Sequence, residues 1–229
     1  LIKNKDWDLF FGMIMGSDRV NHNFWKYFDK SHRRYEKNPL FEEALIDYYV
    51  FLDKRLKKLL DLLDEDTVII LASDHGIKKM DTRVNLTDWL IREGYMVLKN
   101  PVLGKQKFSY DDVNWSKTRV FARGAWDAQI FINLKGREEQ GVVEVSDYED
   151  LVEELKSKLL KIQGDDGKNL DTKIFSKKDF SGNFNDVSPD LIVYFDDLQY
   201  GCNTSLIGND SLWSPSTAIG SDEVTHSSQ

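Results

Sequence analysis

The sequence predicts an α/β protein, a largely parallel sheet with helices on both faces. Two observations lead to that expectation. Asp8-Leu9-Phe10-Phe11-Gly12-Met13-Ile14-Met15 and Thr67-Val68-Ile69-Ile70-Leu71-Ala72 are short runs apolar on both faces, the pattern of a strand buried between two layers. A long amphipathic helix lies between them over residues 41–63, with Phe41, Ala44, Leu45, Tyr48, Leu52, Leu56, Leu59 and Leu63 on one stripe. Strand, helix, strand is the unit that joins parallel neighbours.

The remaining elements follow in order. A second helix is expected over 85–93, closed by Gly94, and a third over 148–162. Gln129–Leu134 and Asp190–Phe195 read as further strands, the second introduced by Ser188-Pro189. Residues 100–118 read as a polar surface excursion, and 201–222, rich in Gly, Ser and Asn, as loop. With no repeat or linker evident, residues 1–229 read as one α/β domain.

Composition excludes several classes. A net charge of -8 and a pI near 5.1 argue against a basic nucleic-acid-binding surface. No apolar run approaches the roughly 18 residues of a membrane span. One cysteine, Cys202, excludes an internal disulfide and a Cys-rich zinc site, and reads as structural or incidental. The chain starts at Leu1 and stops at Gln229, three residues after His226 (229 − 226); it reads as a piece of a longer protein.

Both apolar runs end in the same chemistry. The first leads to Asp18 and His22, which share a face if the segment turns helical. The second ends in Asp74-His75, relieved by Gly76. A lone Asp–His pair is usually a turn with an Asx cap, but two such pairs after buried runs, in a chain with 4 histidines, point to metal. Mixed carboxylate and imidazole ligation suits zinc, manganese or iron better than calcium. Two such ions about 3.5–4 Å apart clamp a phosphoryl group in transfer. His32, inside Lys30-Ser31-His32-Arg33-Arg34, reads as merely solvated. Ser17 and Ser73 read as caps of the turns after their strands. Arg19 and Arg123 carry the fork that suits phosphate, although surface or structural roles are the simpler reading of both.

Ser17-Asp18-Arg19-Val20-Asn21-His22 and Ala72-Ser73-Asp74-His75-Gly76 resemble two metal-binding motifs of the alkaline phosphatase superfamily, and within it the type I phosphodiesterase/nucleotide pyrophosphatase branch. Val84–Leu90 with Glu93-Gly94-Tyr95, Trp115–Thr118, Ile130–Glu138 and Ser188–Val193 extend the resemblance along nearly the whole chain. The resemblance implies an alkaline-phosphatase-like fold and two divalent ions, usually Zn2+, with Mn2+ or Fe as alternatives. Asp18, His22 and the late His226 match ligands of one ion, and Asp74 and His75 match ligands of the other. It implies hydrolysis of a small phosphodiester or nucleotide through a covalent Ser or Thr intermediate. The family's nucleophile and a further metal-binding Asp precede the Asp18 motif, so they are expected upstream of Leu1, and this piece carries roughly half a catalytic centre. A phosphoglycerate mutase or another phosphomonoester enzyme of the superfamily shares the Asp-x-x-x-His and Asp-His-Gly motifs and is the enzymatic alternative. A non-catalytic metal-binding domain is the alternative if the chain is complete.

Overall fold

The computed structural model describes residues 2–3, 6–100, 109–124, 126–180, 187–206, 208, 211–214 and 224–227. The chain divides into two compact units. One holds residues 1–79 together with 220–227, and the other holds 80–219.

The first unit is built on two helices and one small sheet. Helix α1 (Gly16–Phe28) packs on helix α2 (Ala44–Leu60). The predicted stripe is the covered face of α2: Leu45 is buried, and Tyr48, Leu52, Leu56 and Leu59 are partly covered. Strand β1 (Gly76–Lys79) pairs antiparallel with β9 (Val224–Ser227), in the register Ile77 opposite His226.

The two runs predicted as parallel strands are not strands among the described residues. Residues 9–15 and 67–73 carry no ladder pairing and leave apolar side chains in solvent, with Leu9 84%, Phe11 87% and Ile70 85% exposed. Periodicity reports what a segment needs for burial, whereas pairing depends on neighbours distant in sequence. These runs have the composition of central strands but not the neighbours. Exposed apolar area of this extent binds apolar probes. The protein is therefore expected to enhance 8-anilinonaphthalene-1-sulfonate fluorescence. Phe11→Lys with Ile70→Lys should lower that enhancement without lowering the melting temperature. An unchanged signal in the double variant would show that these runs are covered in solution.

The second unit contains the large core. Strand β2 (Thr82–Asn85) leads into helix α3 (Leu86–Arg92), which ends at Gly94, whose φ of +76° closes the helix as anticipated. Strands β3 (Val120–Gly124), β4 (Ala128–Ile132), β5 (Lys173–Ser176) and β6 (Leu191–Tyr194) form an antiparallel sheet in the order β3-β4-β6-β5. Helix α4 (Tyr148–Leu159) buries Leu151, Val152, Leu155 and Leu159 in the same core as Val84, Leu90, Ile130 and Val193. Strand β2 is flanked by β7 (Tyr200–Asn203), running parallel, and β8 (Trp213–Ser214), running antiparallel.

The architecture is therefore mixed α/β, as the sequence predicts, but its described strand pairs are mostly antiparallel, and the expected largely parallel sheet is not observed. The stretch read as loop over 201–222 contributes most of β7 and all of β8. Within 100–118, residues 101–108 lie outside the described set, and Tyr110–Asp112 form a short 3-10 turn capped by Ser109.

A buried polar network ties β4 to α4 and to the entry of β6. Asp190 is fully buried (0% exposed), and its carboxylate accepts both Nη atoms of Arg137 (2.6 and 2.7 Å), the Tyr148 hydroxyl (2.9 Å) and the Ile132 N–H (2.7 Å). Lys177 Nζ stands 3.3 Å away. Burial alone pushes this carboxyl up, but the Arg137 hydrogen bonds, the Ile132 amide and the nearby charges outweigh it and hold the pKa below the ordinary value. Cys202 is buried at the β7 position opposite Val84 and its thiol is pushed up by desolvation, a structural residue as expected.

Candidate metal centre

Helix α1 begins directly after the exposed apolar run. Its first turn carries Asp18, where the positive end of the helix favours a carboxylate, and His22 lies one turn on. The expected helical face forms: His22 Nε2 is 3.3 Å from Asp18 Oδ1. Ser17 lies in the first turn of the helix, and its hydroxyl donates to the Ile14 carbonyl of the preceding run at 3.1 Å.

The third residue arrives from the far end of the sequence. Strand β9 lies along β1, which places His226 opposite Ile77 and beside the loop bearing His75. The His226 ring stacks on His75 with centroids 3.5 Å apart and planes 11° from parallel. It meets His22 edge-on at 5.9 Å. Ligand atoms of Asp18, His22 and His226 all lie within 4.8 Å of one another. The His226 pKa is held below the ordinary value, first by burial and then by the neighbouring His75 and His22 charges. That environment favours neutral imidazole, the form that binds metal.

The donor set fits a divalent ion. With metal–ligand distances of about 2.0–2.1 Å in a tetrahedron, donors sit about 3.4 Å apart, and the Asp18–His22 separation is already 3.3 Å. One carboxylate and two imidazoles leave a fourth position open, the ligand count of catalytic rather than structural zinc sites.

Asp74 and His75 form a second, smaller group. His75 Nδ1 is 2.9 Å from the Gly76 carbonyl. With the proton on Nδ1, the lone pair sits on Nε2, 3.7 Å from Asp74 Oδ2. The Asp74 side chain is 90% exposed, that of His75 23%. The pair offers two donors. Ser73 donates to the His75 carbonyl at 2.7 Å, bracing the turn it is expected to cap.

Two readings of single residues change. His32 is not solvated: it is buried at 4% exposure in the loop after α1, and its Nδ1 accepts the Arg34 N–H at 3.1 Å. That local bond makes burial of a ring with charged sequence neighbours inexpensive. Arg123 lies over the Tyr110 and Phe131 rings at 5.6 and 5.5 Å, a packing role in the second unit. Arg19 is exposed on α1. One relevant residue was not singled out from the sequence. Asn21, between the two α1 ligands, is buried; an amide on the inward side of a helix in a polar motif was the signal available.

A family model for type I phosphodiesterase / nucleotide pyrophosphatase matches residues 2–209. The chain belongs to the type I phosphodiesterase/nucleotide pyrophosphatase family. The match spans Asp18, His22, Asp74 and His75 and ends before His226, whose place beside them comes from the β1–β9 pairing. No curated protein and no solved structure matches the chain. Among the described residues no helix is long and apolar enough to cross a membrane.

Proposed function

We propose that this protein is a two-metal phosphoester hydrolase with an alkaline-phosphatase-like catalytic domain, acting on a small phosphodiester or nucleotide pyrophosphate. The observation that carries the reading is the convergence of Asp18, His22 and His226, from opposite ends of the sequence, in a member of a phosphodiesterase family.

Asp18, His22 and His226 would hold one divalent ion, and Asp74 and His75 would contribute to a second. Zn2+ suits the ligands best, with Mn2+ or Fe as alternatives. When bound, such ions supply positive charge at the phosphoryl and leaving oxygens, where negative charge grows during transfer. Asp18 Oδ1 and His22 Nε2, 3.3 Å apart, would face the same ion as neighbouring donors, and the Gly76 carbonyl, accepting from Nδ1, would leave His75 Nε2 as the donor. A Ser or Thr hydroxyl attacks phosphorus in line, the leaving alcohol or phosphate departs, and water then cleaves the phospho-enzyme ester. Ser17 and Ser73 are not assigned that role, because both hydroxyls are engaged with backbone carbonyls. By the family resemblance the nucleophile is expected before the Asp18 motif.

The test compares substrates with the intact gene product. Bis(4-nitrophenyl) phosphate should be cleaved faster than 4-nitrophenyl phosphate, and a chelator should abolish cleavage, with recovery on adding Zn2+. A preference for the monoester, or indifference to chelation, would contradict the proposal.

A further inference from the structure

Ligand atoms on a helix are only as well placed as the helix itself. At about 100° per residue, Asp18 and His22 project about 40° apart on α1, and Asn21 lies about 60° to the other side of Asp18. Asn21 is 5% exposed, and both hydrogens of its amide are used. Nδ2 donates to the Ser17 carbonyl at 2.7 Å and to the Tyr49 hydroxyl of α2 at 2.9 Å. A carbonyl can only accept, so the first bond fixes which end of the amide faces it. The adjacent Tyr48 presses on the start of the same helix, where a Cβ on Gly16 would lie 2.1 Å from the Tyr48 hydroxyl oxygen. Two consecutive tyrosines of α2 thus grip the turn of α1 that carries the ligands.

The magnitudes make that grip matter. A ligand atom sits about 5–6 Å from the helix axis, so a roll of about 10° moves it by about 1 Å, whereas metal–ligand distances tolerate about 0.2 Å. We infer that Asn21, tied to Tyr49, is a positioning residue that sets the roll of α1 and so aims Asp18 and His22 at one ion. This rests on the metal-binding reading given above. It touches neither substrate nor metal.

The helix supplies its own control. Asn23 makes the same bond to the carbonyl four residues back, Nδ2 to Arg19 O at 2.7 Å, but stands on the exposed face. Co2+ is the probe, titrated into the metal-free protein and followed by visible absorption, with thermal unfolding measured in parallel. Asn21→Ala should weaken Co2+ binding about tenfold, the lower end for loss of a group that orients a ligand, and should alter the absorption spectrum. Tyr49→Phe should do the same to a smaller degree, and the two effects should not add in the double variant. Asn23→Ala should bind Co2+ within about twofold of the parent. Should Asn21→Ala fail to fold, Tyr49→Phe, which deletes a single oxygen, answers the question. Equal Co2+ affinity for the Asn21 and Asn23 variants, or for Tyr49→Phe and the parent, would overturn the inference. Absence of Co2+ binding by the unsubstituted protein would instead overturn the metal-site reading beneath it.

Discussion

Asp190→Ala is expected to destabilise the second unit by about 3–5 kcal/mol, the range for removing one partner of a buried ion pair. The cause is what remains, not only what is lost. Arg137, with its side chain 10% exposed, would keep a buried charge faced, among the described residues, only by Glu138 at 3.0 Å. Nη1 and Nη2 would each lose a bond to carboxylate, and the Tyr148 hydroxyl and Ile132 N–H would lose their acceptor. Arg137 Nη2 also donates to the Ile132 carbonyl at 2.6 Å, so the strand end it braces would loosen too. Urea denaturation should show a lower midpoint with an unchanged slope; a loss under about 1 kcal/mol would contradict this account.

The pH dependence has a definite sign. The Asp190 carboxyl has a folded pKa lowered below its unfolded value near 3.9, so its contribution is present above that value and is lost as pH falls through the lowered folded one. Below about pH 4 the parent should lose stability more steeply than Asp190→Ala. Parallel curves would show that the carboxylate is not held as described.

Metal should stabilise the first unit, which is the second large effect expected. That unit is short of a core of its own: Leu9, Phe11 and Leu71 stand in solvent, and α2 buries little beyond Leu45. An ion held by Asp18, His22 and His226 cross-links the start of α1 to β9. At free Zn2+ about 100 times the dissociation constant, mass action adds about 2.7 kcal/mol. A chelator should remove it, and His226→Ala should abolish most of it by cutting the link from β9. Equal Zn2+-induced shifts in melting temperature for the parent and His226→Ala would contradict the assignment of His226.

The parts legible in the sequence were those where local pattern and tertiary need coincide. The stripe of α2, the Gly94 stop of α3, the buried face of α4 and the cores of β4 and β6 are all set by residues close in sequence. Strands β1, β7 and β9 were not legible, because Gly76-Ile77-Lys78-Lys79, Tyr200-Gly201-Cys202-Asn203 and Val224-Thr225-His226-Ser227 have no apolar run; distant pairing makes them strands. Residues 9–15 and 67–72 failed in the opposite direction, with strand composition and no pairing.

At the candidate site the types of residue were legible and their relations were not. Spacing alone put Asp18 and His22 on one face. The stack of His75 on His226, and the grip of Tyr48 and Tyr49 on α1, need α2, β1 and β9 in three dimensions. His32 is buried against expectation because its charged neighbours describe the sequence around it, not the loop that encloses it. Arg137 and Asp190 lie in the stretches that carry the family resemblance, yet they clasp each other 53 residues apart, so those stretches report architecture rather than chemistry.

The central claim is that Asp18, His22 and His226 hold one divalent ion. X-ray absorption at the zinc edge, on protein loaded with one equivalent of Zn2+, tests it most directly. The account predicts two imidazole nitrogens at about 2.0–2.1 Å with a carboxylate oxygen. Both nitrogens should vanish in His22→Ala/His226→Ala and persist in Asp74→Ala/His75→Ala. A shell of oxygens alone, or a histidine signal untouched by removing His22 and His226, would contradict it.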